Sequence, residues 1–235
     1  MTSRRDRVTF DAHHYEKLAR AGHGAEPLSV FRDIYQRHHW SGSASPSGAG
    51  AGADQTGELR RSLPGLLREL GVATLLDLPC GDFGWMRTTE LPVRRYIGAD
   101  LLPELIAPLA VEFGDEHRAF LVLDLTGDRL PPADLLLCRD CLVHLSYADI
   151  RRALTNVAGS SIPYLLATTF PGGDANEDIV TGDWRVLDLE RAPFHLPPPL
   201  RILNERCTEG EGAFADKSLG LWRTDDLRRL PFLTE

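Results

Sequence analysis

The chain has little cysteine, no long apolar run and no excess of positive charge, and each shortage excludes something. Four cysteines in 235 residues do not make a disulfide framework. Cys138 and Cys141 form a C-x-x-C, but a redox or zinc role needs a helix N-terminus or a second ligand pair. Neither appears at suitable spacing, so free, partly buried thiols are expected. No run approaches the length of a membrane span, and MTSRRDRVTFDAHHYEK at the start has no apolar h-region. A soluble, cytoplasmic protein is expected. Lysine and arginine number 26 against 34 acids, a net charge of −8. Nucleic-acid backbones and anionic membranes need a positive footprint, and Arg4-Arg5 and Arg228-Arg229 are too short to supply one. Neither is expected as a main partner. His13, His14, His23, His38 and His39 are not spaced as a metal site, so no metal is expected. Both common phosphate cradles, G-x-G-x-x-G and G-x-x-x-x-G-K-[ST], are missing, which weakens the case for a nicotinamide cofactor.

What is present alternates. Val30, Phe31, Ile34 and Tyr35 give residues 27–39 one apolar helical face. Residues 41–57, SGSASPSGAGAGADQTG, are nearly all small. Such a composition reads as a mobile linker, or as a lid that orders over a ligand. A helix is then expected with Ser62 as cap, Pro64 in its first turn and Leu63, Leu66, Leu67 and Leu70 as its buried stripe, ending at Gly71. Short apolar runs follow at VATLLDL, RRYIGAD, AFLVLDL, ADLLLCRD and SIPYLLATTF. Helical stretches at LLPELIAPLAVEF and SYADIRRALTNVAGS separate some of them, the latter capped by Ser146. Strands apolar on both faces, alternating with helices, imply a doubly wound, mostly parallel α/β sheet of Rossmann-like type. LRILNER and KSLGLWRTDDL, with only a loop between them, suit an antiparallel hairpin at its edge, completing seven strands. The expected division is an N-terminal helical extension with the small-residue segment over 1–57, and a core over 58–235.

Ligands of such sheets bind at the carboxyl ends of the strands. Four runs end in an acid at corresponding positions: Asp77, Asp100, Asp124 and Asp140. Helix capping explains one or two of these, but explains four poorly. Asp100 lies 23 residues after Asp77, near the roughly 20-residue offset at which an acid reaches ribose hydroxyls. A carboxylate accepting from both hydroxyls suits an adenosine-containing cofactor. Asp124 is placed to take the adenine amine, with the Leu125 amide meeting a ring nitrogen.

The order of "DLPCGDFGWM", "IGADLLPELI", "FLVLDLT", "DLLLCRDCLVHLS" and "DKSLGLW" resembles the class I S-adenosylmethionine-dependent methyltransferases. Together with "TTFP" and "TGDWR" the motifs look like a bacterial subgroup of that class. The first motif departs from the usual pattern, since Pro79 stands where a glycine is common and Gly84 comes one step late. The resemblance implies S-adenosyl-L-methionine as cofactor and methyl transfer to oxygen or nitrogen of a small-molecule acceptor. It implies that Gly81 lets the backbone approach the methionine end of the cofactor, with Pro79, Asp82 and Trp85 in the same loop. Asp77 would hold the ammonium, Asp100 and Leu101 the ribose end, and Asp124 and Leu125 the adenine. Arg139 and Asp140 would line the opening towards the acceptor. His144 is the candidate base, or else merely caps the helix near Ser146; Asp140 is the second candidate, or else orients Arg139 or the cofactor. Phe170, Asn176, Trp184 and Glu211 lie in segments expected to cross the mouth of the site. Tyr35 and Trp184 would sandwich a planar or sugar-like acceptor, or only pack their loops. Two other readings stay open: non-methylating chemistry, such as intramolecular cyclisation of the cofactor, and a non-catalytic partner protein of the same fold.

Overall fold

The computed structural model describes residues 4–40, 47–173 and 175–234. Seven strands form one sheet: β1 (Thr74–Asp77), β2 (Arg95–Asp100), β3 (Arg118–Val122), β4 (Leu135–Cys138), β5 (Tyr164–Thr169), β6 (Arg201–Asn204) and β7 (Ser218–Arg223). Their spatial order is β3-β2-β1-β4-β5-β7-β6. The first five strands are parallel, and β7 runs antiparallel to both β5 and β6. This is the Rossmann-like, doubly wound sheet with a late antiparallel hairpin that the sequence pattern implies. The order reverses between β1 and β4, so a crevice opens above their carboxyl ends.

Period-two alternation builds the two layers of core. Leu75, Leu135, Leu137 and Leu166 pack with Leu59, Leu63 and Leu67 of α3 (Ala53–Glu69) and with Ile106 and Leu109 of α4 (Pro103–Phe113). Leu76, Leu136, Cys138, Leu165 and Ala167 belong to the opposite layer, with Ile150, Ala153, Leu154 and Val157 of α5 (Tyr147–Gly159). The edge strand β3 departs from the expectation of burial on both faces: Leu121 and Val122 are exposed. The Ser146 cap is formed, its hydroxyl accepting from the Asp149 amide at 3.2 Å. No helix among the described residues is long and apolar enough to cross a membrane, and the four cysteines are free.

Two further helices, α1 (His14–Arg20) and α2 (Pro27–Arg37), precede the sheet. Helix α3 corrects one expectation. It begins at Ala53, with Gly52 as cap, and Ser62 lies in its interior, its hydroxyl donating to the Glu58 carbonyl. The earlier start is favoured because Thr56 and Leu59 extend the buried stripe by further turns. Residues 47–57, expected as part of a mobile linker or lid, are therefore a tight turn running into a helix; residues 41–46 of that segment lie outside the described residues. Residues 170–200 contain neither helix nor strand among those described, yet Leu187, Leu189 and Phe194 are fully buried.

Leu136 is fully buried in the central strand β4. Leu136→Ala is expected to lower the free energy of unfolding by roughly 2–5 kcal/mol through lost transfer energy and a residual cavity, as measured by urea denaturation.

Candidate active site

The strand-tip acids converge as their spacing suggests. Asp77, Asp100, Asp124, Asp140 and His144 all line one cleft above the parallel strands. Pro79, Gly81, Asp82 and Trp85 form its wall after β1, Leu101 and Leu125 contribute from the next two loops, and Arg139 lies beside Asp140. Tyr35 of α2 lines the outer wall with Phe31 and Ile34.

The first loop is shaped for close approach. Gly81 has φ +55°, and a Cβ there would stand 2.5 Å from the Ser47 hydroxyl oxygen. That same oxygen accepts from the Asp82 amide at 3.0 Å, so the segment before α3 seats directly on the loop. Asp77 is almost fully buried, and its Oδ2 accepts from the Tyr96 hydroxyl at 2.7 Å. Its Oδ1 has no partner among the described residues. Burial pushes the Asp77 carboxyl up to about 7, against the pull of Tyr96 and Arg139. Burial likewise raises Asp100 to about 6, although its oxygens accept from the amides of Gly81 at 3.3 Å and Leu102 at 3.2 Å. Asp124 lines the cleft, and its Oδ1 accepts from the amide and hydroxyl of Thr126 at 2.7 Å each. The Leu125 amide has no acceptor among the described residues.

A second cavity meets the first at Trp40, Ser47, Asp140 and His144, which line both. Its apolar side is Phe10, Phe170, Trp184 and Phe214, and its polar side includes Arg7, Glu209 and Lys217. Trp184 packs edge-on against Phe214 at 5.1 Å. Tyr35 and Trp184, expected to sandwich one acceptor, line different cavities and do not face each other across either. Asn176 is committed to its own loop, donating to the carbonyls of Asp188 and Ala192 at 2.8 Å. Glu211 lines neither cavity.

Between the cavities the electrostatics separate the two candidate bases. Asp140 is held by Lys217 Nζ at 2.7 Å and by Arg139 at 3.2 Å. Burial alone would raise its pKa, but the two cations outweigh burial and keep the carboxyl well below its usual range. It is a fixed negative charge and a poor base. His144 is also lowered, but by burial, to about 4, against the pull of its bond to the Asp183 carbonyl and of the Asp140 charge, so that its neutral form is the favoured one. The ring is neutral at pH 7, stacks on Trp40 at 4.1 Å, and donates from Nδ1 to the Asp183 carbonyl at 3.0 Å. A carbonyl only accepts, so Nδ1 carries the proton and Nε2 has a free lone pair. Glu205 and Lys217, which the sequence reading did not single out, complete this centre: Glu205 binds Arg139 through two bonds, 3.1 and 2.7 Å, and approaches Lys217 at 3.5 Å. Lys217 stands in the "DKSLGLW" motif, but nothing in the sequence shows that the hairpin would deliver it to the tip of β4.

The solved structures similar to this chain set its fold in context. The N-methyltransferase NodS from Bradyrhizobium japonicum WM9, in complex with S-adenosyl-L-homocysteine, superimposes with a TM-score of 0.56 at 14% identity, over 84% of this chain and 98% of that one. Human N-acetylserotonin methyltransferase in complex with SAM gives 0.52 at 13% identity, over 84% of this chain. The fold is that of the class I S-adenosylmethionine-dependent methyltransferases. The chain spans 55% of the human enzyme's length and 66% of the bacterial CtHen1 methyltransferase domain structure, which superimposes at 0.43 with 11% identity over 49% of this chain. No protein-family model and no curated protein matches the sequence.

Glu205 is 2% exposed. Glu205→Ala is expected to destabilise the protein by roughly 3–5 kcal/mol, because it strands buried cations. Chemical denaturation measures this, and a loss below about 1 kcal/mol, the range of exposed pairs, would show that the network is hydrated.

Proposed function

We propose that the protein is an S-adenosylmethionine-dependent methyltransferase acting on oxygen or nitrogen of a small-molecule acceptor. The observation that supports this most is the convergence of Asp77, Asp100 and Asp124 on one cleft that joins a second, aromatic-walled cavity at His144. The donor set suits the cofactor. The unpartnered Oδ1 of Asp77 matches an ammonium group, Asp100 matches ribose hydroxyls, and Asp124 with the free Leu125 amide matches an adenine edge. When bound, the cofactor supplies an electrophilic methyl group on sulfur.

The chain's own contribution is alignment and proton handling. An acceptor in the second cavity would rest against Phe170, Trp184 and Phe214 and point a hydroxyl or amine at the junction. Nε2 of His144 would take the proton that the acceptor gives up, and the Asp140 charge would favour the imidazolium that results. Arg139 and Lys217 keep Asp140 ionised for that purpose. Trp40 and Ser47 line the same junction.

Isothermal titration with S-adenosylmethionine and S-adenosylhomocysteine tests the cofactor half of this reading; a folded protein that binds neither would end it. Asp100→Ala should weaken binding roughly 10- to 100-fold, as loss of hydrogen bonds to a charged acceptor implies, and an unchanged affinity removes the ribose assignment. Affinity should also depend on pH in a stated direction. Asp77 and Asp100 must ionise to meet the ligand, so binding weakens as pH falls through about 7 and 6 and levels off above. At pH 6, binding should release protons, seen as a heat that varies with the buffer's ionisation enthalpy. Incubation with cofactor alone, followed by mass spectrometry, should leave it intact; rapid turnover without an acceptor would point to chemistry within the cofactor.

A further inference from the structure

The stretch Thr181–Arg185, TGDWR, carries no strand-tip acid, yet its residues bind the turn that presents His144. The Gly182 amide donates to the His144 carbonyl at 2.8 Å, and the Arg185 amide to the Val143 carbonyl at 3.2 Å. The fully buried Arg185 guanidinium donates to the carbonyls of Leu142 and Leu145 at 2.9 and 2.8 Å. Thr181 accepts from the Ser146 amide at 2.9 Å and donates to Asp149. The short turn Leu142–His144 thus has its outward carbonyls saturated from one side.

Asp183 faces two ways. Its backbone carbonyl takes the Nδ1 proton of His144. Its fully buried carboxylate accepts from the Tyr15 amide at 2.8 Å, the Glu16 amide at 3.0 Å and Arg5 at 3.3 Å. It therefore satisfies the first turn of α1, where His13 makes no capping bond of its own. Gly182 lets this happen: its φ is +106°, and a Cβ would lie 2.3 Å from Val30 and 2.7 Å from Tyr15. The segment fastened in this way supplies Arg7, Phe10 and Trp40 to the second cavity.

We infer that TGDWR is a positioning clamp for His144, in which Asp183 couples docking of the N-terminal segment to the imidazole tautomer that presents Nε2 to the junction of the two cavities. Free imidazole side chains favour the opposite tautomer, with the proton on Nε2, so the Asp183 carbonyl selects the less common form. Asp183 and Arg185 do not line either cavity and act only through His144. A role for Nε2 in methyl transfer rests on the function proposed above; the clamp itself does not.

Long-range ¹⁵N–¹H NMR of the uniformly labelled, full-length protein tests the clamp without cofactor or acceptor. The His144 signals are assigned by their loss in His144→Gln. At pH 7 the wild type should show Nδ1 protonated and Nε2 unprotonated; the reverse tautomer overturns the proposal. The groups that bear on the ring's titration are Asp140, Arg185 and Lys217, and none of them is altered by changing Asp183. Asp183→Ala should open the segment before Trp40 to limited proteolysis and raise the His144 pKa by at least one unit, as water reaches the ring. Asp183→Asn keeps an acceptor for the α1 amides and should restore most of the protection and the low pKa. It also covers the case in which the alanine variant does not fold. If proteolysis opens while the tautomer and titration of His144 stay as in wild type, Asp183 only anchors the segment and the coupling is refuted. Where transferase activity is found, Asp183→Ala should lower kcat roughly 10- to 100-fold, up to the lower range of a lost general base, and move the acid limb of the pH profile. The cofactor Kd should stay within about twofold of wild type. A loss of cofactor binding alone, with His144 unchanged, would count against the clamp and leave the cofactor site to be judged separately.

Discussion

Two cations and two carboxylates share one patch at the carboxyl end of β4, and segments far apart in the chain contribute to it. Arg139 and Asp140 follow β4, Glu205 follows β6, and Lys217 precedes β7. The Gly50 carbonyl, from the segment before α3, accepts from Arg139 at 2.8 Å. Buried charges carry a large desolvation cost unless each is paired and hydrogen-bonded. The parallel half of the sheet, the late hairpin and the N-terminal segment must therefore arrive together, or the patch is left with an unpaired ion. The network gives register and mutual placement more than net stability, and both cavities meet on it.

The same patch divides the acids of the cleft by how readily they ionise. Asp77 and Asp100 are more deeply buried than Asp140, no cation bonds to them, and burial raises both. Asp140, between two cations, is lowered. One set of carboxyls titrates near neutrality, and the other is already an anion there. Pushing similar groups in opposite directions by environment is how a single fold separates binding from proton transfer. His144 fits between them: neutral at rest, with its charged form favoured by Asp140 alone among the side chains around it.

Much of the fold was legible because its causes are local. Buried parallel strands are short and apolar throughout, and the acids at their tips stand at fixed places relative to those runs. Asp77, Asp100, Asp124 and Asp140 could be aligned on that basis before any geometry was known. The start of α3 was not legible, since Ser62 and Pro64 are good local signals for a helix N-terminus and only tertiary burial of Thr56 and Leu59 overrides them. Glu205 and Lys217 were invisible as site residues for a different reason. They are 66 and 77 positions from the groups they bind, and nothing short-range reports which strand tip a late hairpin will meet. "TGDWR" stood out as a motif, but its bond to the His144 ring is made by a backbone carbonyl, which has no sequence signature.

The small-residue segment before α3 shows how composition misleads when it is taken as a statement about entropy alone. Glycine and alanine do lower the benefit of ordering, because they bury little. They also permit approach that larger residues forbid. A Cβ on Gly50 would sit 3.2 Å from Asp140 Oδ2, 3.3 Å from Lys217 Nζ and 3.5 Å from Glu209 Oε2. The chain passes close beside a charged cluster there, and a bare backbone leaves those side chains their places while its carbonyl accepts from Arg139. Ser47 does the equivalent at Gly81, and Gln55 ties the start of α3 to Thr208 at 2.9 Å. In residues 47–57, then, smallness is the steric condition for closing the site, and the ordering cost is offset by bonds that the segment makes to groups far away in the chain.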